Sequence, residues 1–480
     1  MLTKWQVFDM KESHITKLIT SGETPSKKTI IAAALLLAWP AIVEQIMLTA
    51  VQFVDAAMVG RLGADATAAV GLTYAPNWVF SAIYASTAMG FSVQVAQHLG
   101  AERDEQAKRV VAQSLRIVAI LGFALAIIGV LISFRLPIWL GAEDIIVKPA
   151  GMYFRIIAGG IPLTFGVMMI SSMFRCAGDT KSPMMLNTMI NIINVVLNFL
   201  FIYETRPMAV LGMELTMPGL GLGVVGAAIA SVTSTGIVFC IFIWMLFHRE
   251  SPIRISRDTD GRLEKDCLAT AFRLGGPIAM ERLAMSGAQI AQTAIITNIG
   301  TVALAAHHLA VTAESISYAP AFGVSQSATA MVGQAIGAKR KDLAMHFAKV
   351  SIVMAMIMMT LGGVILFVFA EPLIRILSSD PEVVIIGGKA LRIVAFAEPL
   401  FGAAIVSSGV LRGAGDSRFP FLISMSTMWG VRITLSLIFS RRFGLPGVWM
   451  AMAVELAVRG GVFLIRVLRG KWVDSRLFKE

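Results

Sequence analysis

Pro40-Ala-Ile-Val-Glu44 returns as Pro277-Ile-Ala-Met-Glu281, so that residue 44 meets residue 281 at an offset of 237. The same step carries Gln52 to Gln289, Gly63 to Gly300 and Gly100-Ala101 to Gly337-Ala338. It also carries Arg155 to Arg392, Pro162 to Pro399, and Arg175-x-x-Gly178-Asp179-Thr180 to Arg412-x-x-Gly415-Asp416-Ser417, with Pro183 and Pro420 behind them. A register held over so many residues means a duplicated half. One member of the set breaks it: Asp55 meets Gln292. Two matching halves with one carboxylate missing predict a symmetric machine whose ionisable centre sits in one half.

Composition places that machine in a bilayer. Of 480 residues, 56% are hydrophobic and 15% charged, and the mean hydropathy is +0.75, beyond what a soluble domain of this length carries. Apolar stretches long enough to cross run approximately 29–59, 66–98, 107–134, 149–173, 183–204, 221–248, 267–298, 302–335, 343–370, 383–410, 419–440 and 445–468. They lack strand alternation and are rich in Gly, Ala, Leu, Ile and Met, which predicts helices rather than barrel strands. The expected fold is all-α: a polytopic membrane protein of twelve transmembrane helices in two six-helix lobes. An even number of spans per half makes the repeat parallel, with its pseudo-twofold axis along the membrane normal.

The loops give the orientation. Lys4, Lys11, Lys17, Lys27, Lys28, Arg103, Lys108, Arg109, Arg249, Arg254, Arg257, Arg262, Lys265, Lys339, Arg340 and Lys341 fall on one side, whereas the opposite loops are poor in basic residues apart from Arg441-Arg442. By the positive-inside bias both termini are expected in the cytoplasm, in a plasma membrane such as the bacterial inner membrane. The net charge of +11 then reflects topology, and no nucleic-acid partner is implied. The expected division is a cytoplasmic N-terminal segment (1–28), an N-lobe (29–248), a cytoplasmic linker (249–266), a C-lobe (267–468) and a cytoplasmic tail (469–480). Residues 1–28 lack a signal-peptide core and are expected to lie as an amphipathic piece on the cytoplasmic face. Cys176, Cys240 and Cys267 are too scattered for a disulfide framework or a zinc site, and His307-His308 have no metal-ligand companions. Phosphate-loop, zinc-protease and serine-hydrolase motifs are absent, so the chain is read as no enzyme, needing no cofactor and drawing energy from an ion gradient.

Span one carries Glu44, Gln52 and Asp55 on an arc of roughly 80°. A carboxylate at that depth costs at least about 2.5–3.5 kcal/mol unless neutral or paired, so it should face the bundle interior or a water-filled cavity. Asp55 is the leading ion-coupling candidate, the alternative being a helix-end carboxylate at the outer interface. Glu44 and Glu281 each follow a proline by one turn. They either line a substrate cavity or bond backbone groups loosened by those prolines. Span five adds Asn187, Asn191, Asn194 and Asn198 within about 60°, where the second half has Ser424, Met428, Val431 and Leu435. Carboxamides can coordinate a hard cation, hydrogen-bond a protonated aspartate, or join helices. In the second half, Glu314 and Glu398 are candidates for holding a cationic substrate, together with Gln289 and Gln292, and Glu455 is expected to pair with Arg432 or Arg459.

Trp39-Pro40-Ala-Ile-Val-Glu44-Gln45, Phe53-Val-Asp55-Ala-Ala-Met-Val-Gly60-Arg-Leu-Gly63, the two Arg-x-x-Gly-Asp loops and Met331-Val-Gly-Gln-Ala-Ile-Gly337-Ala338-Lys-Arg340 together resemble the multidrug and toxic compound extrusion family, over about residues 30–465. The resemblance implies two six-helix lobes around a central cleft, and export of organic cations in exchange for H⁺ or Na⁺. It matches Asp55 to the family's first-helix aspartate, and Asn194, Asn198 and Ser231 to positions around that site where relatives place an Asn, an Asp and a Thr. Asn198 in place of an acid departs from a two-carboxylate proton relay. The seventh-helix glutamate of another branch falls nearer Met285 than Glu281. The expected coupling set is Asp55, Asn191, Asn194, Asn198, Ser231 and Gln52, with any Na⁺ at Asp55, Asn194 and Asn198, a hinge at Pro40, and a monomer in the bilayer. Two alternatives are a lipid-linked oligosaccharide flippase, for which Arg155, Arg392 and Arg432 are too few cations to hold a diphosphate, and a gradient-independent facilitator.

Overall fold

Helices dominate the computed structural model, which describes residues 19, 25–210, 213–256 and 258–474. The first crossing, α1 (Lys27–Gly60), runs unbroken through Pro40. It is followed by α2 (Ala64–Leu72) and α3 (Tyr74–Gly100), which share the second crossing, then α4 (Asp104–Ile132) and the short α5 (Arg135–Trp139). The fourth crossing is a pair, α6 (Asp144–Gly159) and α7 (Ile161–Cys176), bent by 45°. Next come α8 (Lys181–Phe201) and α9 (Gly223–His248), which close the first half. The second half repeats the plan with α10 (Lys265–Thr297), α11 (Thr301–Gly337), α12 (Lys341–Val368), α13 (Ala370–Leu377), α14 (Pro381–Ala395), α15 (Glu398–Gly413), α16 (Arg418–Met425), α17 (Thr434–Phe443) and α18 (Leu445–Leu468). Its own bent pair, α14 with α15, turns by 60°.

Backbone geometry copies the repeat. Each bent pair resumes with a proline in its first helical turn, Pro162 and Pro399, where the missing N–H breaks no ladder bond. The left-handed turns pair as well: Gly178 at φ +92° with Gly415 at +96°, and the non-glycine residues Glu102 at +57° with Lys339 at +60°. Eight helical stretches are individually long and apolar enough to cross a bilayer, and the two bent pairs bring the number to ten. The remaining crossings, α10 and α11, are 33 and 37 residues long; Arg273, Glu281 and Arg282 dilute the apolar run of α10.

Two features depart from the sequence reading. Between α8 and α9 the chain forms an antiparallel hairpin, β1 (Glu204–Val210) with β2 (Met213–Leu220), outside the apolar crossings. The eleventh crossing is interrupted between α16 and α17 by a π-helical segment, Ser426–Ile433, at the level where the first half has its asparagines. The linker also does more than join: Ile253 and Ile255 are buried against the base of the first half, and the Glu264 N–H donates to Gln113 Oε1 at 3.0 Å. The amphipathic segment expected before residue 28 lies largely outside the described residues. Ile19, which is described, is buried beneath the second half beside Ala33 and Leu37.

The cores reveal how the halves meet. At the end carrying residues 30–38, 88–99, 267–271 and 321–348, the clusters mix residues of both halves. At the far end they separate, into Met58, Val59, Val70, Ile202 and Val224 on one side and Ile296, Ala303, Ala310 and Val448 on the other. Two lobes closed at one end and parted at the other describe a cleft. Outward-facing Ile120, Phe123, Ile127 and Leu131 on α4, and Ile357, Leu361, Val364 and Val368 on α12, form exposed apolar stripes at helical spacing. Such stripes suit lipid contact.

Candidate functional site

Helices α1 and α8 run in the same direction, so a contact between residue i and residue i + 143 recurs after eleven residues, or about three turns. The lower contact joins Asn187 Nδ2 to Glu44 Oε1 at 2.8 Å, and the upper joins Asn198 Nδ2 to Asp55 Oδ1 at 2.8 Å. From the upper contact a chain runs inward. Asn198 Nδ2 also donates to Asn194 Oδ1 at 3.1 Å, and Asn194 Nδ2 donates to Ser231 Oγ of α9 at 3.1 Å. Asp55 is half-buried, while Asn191, Asn194 and Asn198 are buried. Two polar atoms of this stripe, Asn191 Nδ2 and Asn198 Oδ1, are buried without a hydrogen-bond partner. A carboxylate, amide carbonyls and a hydroxyl form the oxygen set that suits a hard cation, and the same amides can hold an aspartic acid. Of the expected coupling residues, Asp55, Asn194, Asn198 and Ser231 are brought together and Asn191 lies one turn below them. Gln52 is exposed and belongs to neither contact.

Glu44 and Glu281 are struts rather than free carboxylates in a cavity. Arg175 Nη1 reaches Glu44 Oε1 at 2.9 Å and Oε2 at 3.2 Å, and Arg175 Nη2 donates to Ser172. At the matching place Arg412 Nη2 reaches Glu281 Oε2 at 2.8 Å, and the Ser424 hydroxyl donates to Glu281 Oε1 at 2.8 Å. Each pair ties the proline-bearing helix of its lobe to the Arg-x-x-Gly loop, and both are largely withdrawn from solvent. The aspartates of those loops brace a neighbouring helix end, Asp179 through Arg249 at 2.9 Å and Asp416 through Arg466 at 3.1 Å. The Arg-x-x-Gly-Asp signature is therefore a bracket, used twice.

The acids of the second half sit inside their lobe. Glu455 pairs with Arg432 at 2.6 Å and Arg459 at 3.2 Å and accepts from Thr427, as expected. Glu314 and Glu398 are buried; Ser317 donates to Glu398 Oε2 at 2.9 Å, and Oε1 has no partner. Buried carboxylates of this kind do not line an open cavity, so the reading of Glu314 and Glu398 as direct substrate contacts gives way to one of an internal polar cluster. Gln289 is exposed, and Gln292, the counterpart of Asp55, is buried with Nε2 unpartnered. Cys176 and Cys267 are buried, Cys240 is exposed, and all three are free thiols.

Hydrogen bonds crossing between lobes gather at the closed end. Gln97 Nε2 donates to the Gly413 carbonyl at 3.1 Å, and Gln334 Nε2 donates to the Cys176 carbonyl at 2.7 Å. Both the glutamines and the carbonyls are partners in the repeat, so this is one contact made twice across the pseudo-twofold axis. Ser327 to the Leu37 carbonyl, at 2.8 Å, joins them. A Cβ on Gly100 would overlap the Gln334 carbonyl, and one on Gly337 the Gln97 carbonyl. Only glycine permits that approach.

The sequence reading overlooked one charge. The arginines it weighed are engaged elsewhere: Arg155 lies over the Phe134 ring, Arg392 pairs with Glu371 and Arg432 with Glu455. Arg282, next to Glu281, is exposed halfway along α10. Its signal was the adjacency of acid and base in mid-span, which reads as self-neutralising until Glu281 is seen to belong to Arg412.

The family profile described as MatE matches this chain twice, over residues 40–200 and 277–438. Among curated relatives, the probable multidrug resistance protein NorM of Thermotoga maritima is 27% identical over 474 residues, covering 96% of this chain and 97% of its own. The fold is similar to that of an outward-facing multidrug resistance MATE family transporter of the MOP superfamily, with a TM-score of 0.85 at 23% identity over 96% of this chain and all of the other. It is also similar to the Vibrio cholerae MATE transporter VcmN in its bent form, with a TM-score of 0.83 at 20% identity over 92% and 97%. A duplicated six-crossing lobe and a profile that falls once on each copy have one reading: this multi-pass membrane protein belongs to the MatE family of transporters.

Proposed function

We propose that the chain is a multidrug efflux antiporter that exports organic, cation-bearing compounds in exchange for H⁺ or Na⁺, with the exchange made at Asp55. The observation that carries this reading is the Asp55–Asn198–Asn194–Ser231 chain, which exists in one lobe and has Gln292, Leu435 and Val431 at the corresponding positions of the other. When the cation leaves, the carboxylate keeps its negative charge, and the amide N–H of Asn198 that donates to it solvates that charge until the next cation binds. Names of relatives, such as the probable multidrug resistance protein of Thermotoga maritima, support the drug-export part.

The basic loops lie at the closed end, so the positive-inside bias puts that end and both termini in the cytoplasm of a bacterial inner membrane. The cleft then faces outward, and Asp55, in the outer half of α1, exchanges its ion with the exterior. Ion loading there shifts the equilibrium only if the two conformations bind the ion with different affinity, and about 1.4 kcal/mol already gives tenfold. Pro40 interrupts the α1 hydrogen-bond ladder and provides the place to bend; a relative has been solved in a bent form. The transporter works as a monomer, because the ion site and the cleft are complete in one chain.

The test is dye efflux from proteoliposomes with proton and sodium gradients imposed separately. The native chain should respond to one of them, and Asp55→Asn should lose gradient-driven export by roughly a hundredfold while still binding dye. Equal export by the two proteins, or export indifferent to either gradient, would refute the coupling role and favour a facilitator.

A further inference from the structure

Pro40 has no N–H to give, so the ladder of α1 lacks one bond and the turn before the proline is loosened. Within a bilayer, carbonyls in such a turn need help from a neighbouring helix. The Leu37 carbonyl, three residues before Pro40, takes it from the opposite lobe. Ser327 of α11 donates to it at 2.8 Å, with a longer approach of 3.2 Å to the Gly323 carbonyl of its own helix. Ser327 and Leu37 are both buried. One turn away, Gly323 meets α1 on the far side of the proline: a Cβ there would lie 2.6 Å from the Ile42 nitrogen and 2.7 Å from the Ala41 carbonyl oxygen. Helix α11 thus crosses the hinge, bonded to α1 before Pro40 and pressed against it after, and α1 runs through the proline as one helix.

The other copy of the repeat lacks this arrangement. There α10 carries Pro277 and packs on α3, with Gly90 in the place of Ser327 and Ser86 in that of Gly323. Gly90 has no hydroxyl to offer the Leu274 carbonyl, and Ser86 turns its own to the Ile83 carbonyl of α3 at 2.9 Å. The close approaches of that crossing lie ahead of the proline. A Cβ on Gly90 would overlap the Ala271 carbonyl, and one on Gly275 would lie 2.7 Å from the Ser86 carbonyl oxygen. Gln94 Nε2, which donates to the Cys267 carbonyl at 3.3 Å, sits farther back still. One proline-bearing helix is bridged across its weak point, and the other is held on one side of it.

We propose that Ser327 is a positioning residue of the transport cycle: from the second lobe it holds α1 straight at Pro40, and parting of the lobes at the closed end releases α1 to bend. The inference rests on the hinge reading and names the group that governs the hinge. Leu37 and the residues flanking Ser327, Val324 and Ala328, share the mixed core of the closed end, so the bond between them does not survive separation there. The Leu37 carbonyl then loses its donor beside a ladder already short of one bond, and bending at the proline relieves it. Asp55 rides on the same helix, eighteen residues beyond Leu37. The state of the closed end therefore reaches the ion site through the angle of α1. With Gly90 at Pro277, only the helix that carries the ionisable group is governed in this way.

Paired spin labels on the full-length chain in nanodiscs test this, with the three cysteines replaced by alanine. Labels on Ala57 of α1 and Phe123 of α4, both exposed, read the angle of the outer arm of α1 within its own lobe. Labels on Ala294 of α10 and Thr360 of α12, their exposed counterparts in the repeat, read the other helix as a control. Ser327→Ala should raise the ratio of bent to straight α1 by about 3–10-fold, the effect of one lost hydrogen bond, and leave the control pair unchanged. In a Pro40→Ala background the ladder is complete, and Ser327→Ala should do nothing. An equal change at both label pairs, or the same change with and without Pro40, overturns the proposal. If the alanine variant does not purify as a monodisperse species, Ser327→Gly, which copies Gly90, decides by the same criteria. A bent component that Ser327→Ala leaves unaltered overturns this inference and keeps the hinge; no bent component in any of the proteins overturns both. The measurement uses no ion gradient, so the loss of export expected of Asp55→Asn remains a separate test of the efflux reading.

Discussion

The two lobes share a backbone plan down to their left-handed turns, yet they have parted in charge at the same helix. In the first lobe α1 carries Gln45 and Asp55; at the matching positions of the second, α10 carries Arg282 and Gln292. One copy kept an acid where the other has an amide, and one copy has a base where the other has an amide. The ion pairs that hold each lobe's proline-bearing helix were left alone, Glu44 with Arg175 and Glu281 with Arg412. Duplication thus supplied matching scaffolds, and the charges that diverged on this helix are the half-buried Asp55 and the exposed Arg282. The lesson is to read a repeat by subtraction: what cancels is frame, and what remains is chemistry.

Breaking the frame should have the largest effect. Removing one partner of a buried ion pair leaves the other uncompensated, at about 3–5 kcal/mol. Arg175→Ala and Arg412→Ala should each lower thermal stability in detergent by several degrees, and by similar amounts. If one lobe tolerates the loss and the other does not, the two brackets are not equivalent. Next comes the chemistry itself. Asp55→Asn should abolish gradient-driven export with little effect on melting, whereas Gln292→Asp should not restore export in that background, because Leu435 and Val431 replace the amides that would hold the new carboxylate. Restored export would mean that the lobes remain interchangeable.

Much of this was legible in the sequence because it is periodic. Twelve apolar crossings, the repeat offset and the asparagine stripe at steps of four, three and four all follow from helix geometry, and the structure keeps them. The hairpin at Glu204–Leu220 and the π segment at Ser426–Ile433 were not, because neither has a hydropathy signature stronger than its surroundings. Glu44 and Glu281 were ambiguous for a different reason. A buried acid announces that it needs a partner without saying which, and their partners, Arg175 and Arg412, lie 131 residues away in the last turns of α7 and α15, in a motif dominated by the glycines that follow. Gln334 stood only inside the Met331–Arg340 motif and Gln97 in none, with no role for either: a glutamine near a helix end is commonplace, and only the opposite lobe's carbonyl gives it a task.

That last pair offers the finest comparison, between the closed and open ends of the cleft. At the closed end the glutamines donate across the lobe boundary to Gly413 and Cys176, and these bonds must break if the cleft is to open on that side. Each is worth about 0.5–1.5 kcal/mol net, so removing both should shift the conformational balance by roughly tenfold. The single variants Gln97→Ala and Gln334→Ala should shift it equally, since each removes one copy of the same contact. Spin labels placed on exposed residues of the two closed-end loops would report the shift as a longer distance population. Gly100→Ala provides a control of opposite logic: it adds bulk against the Gln334 carbonyl and should force the ends apart without removing a donor. If the double glutamine variant leaves the distances unchanged while Gly100→Ala moves them, packing rather than hydrogen bonding holds that end shut, and the paired glutamines are only its seam.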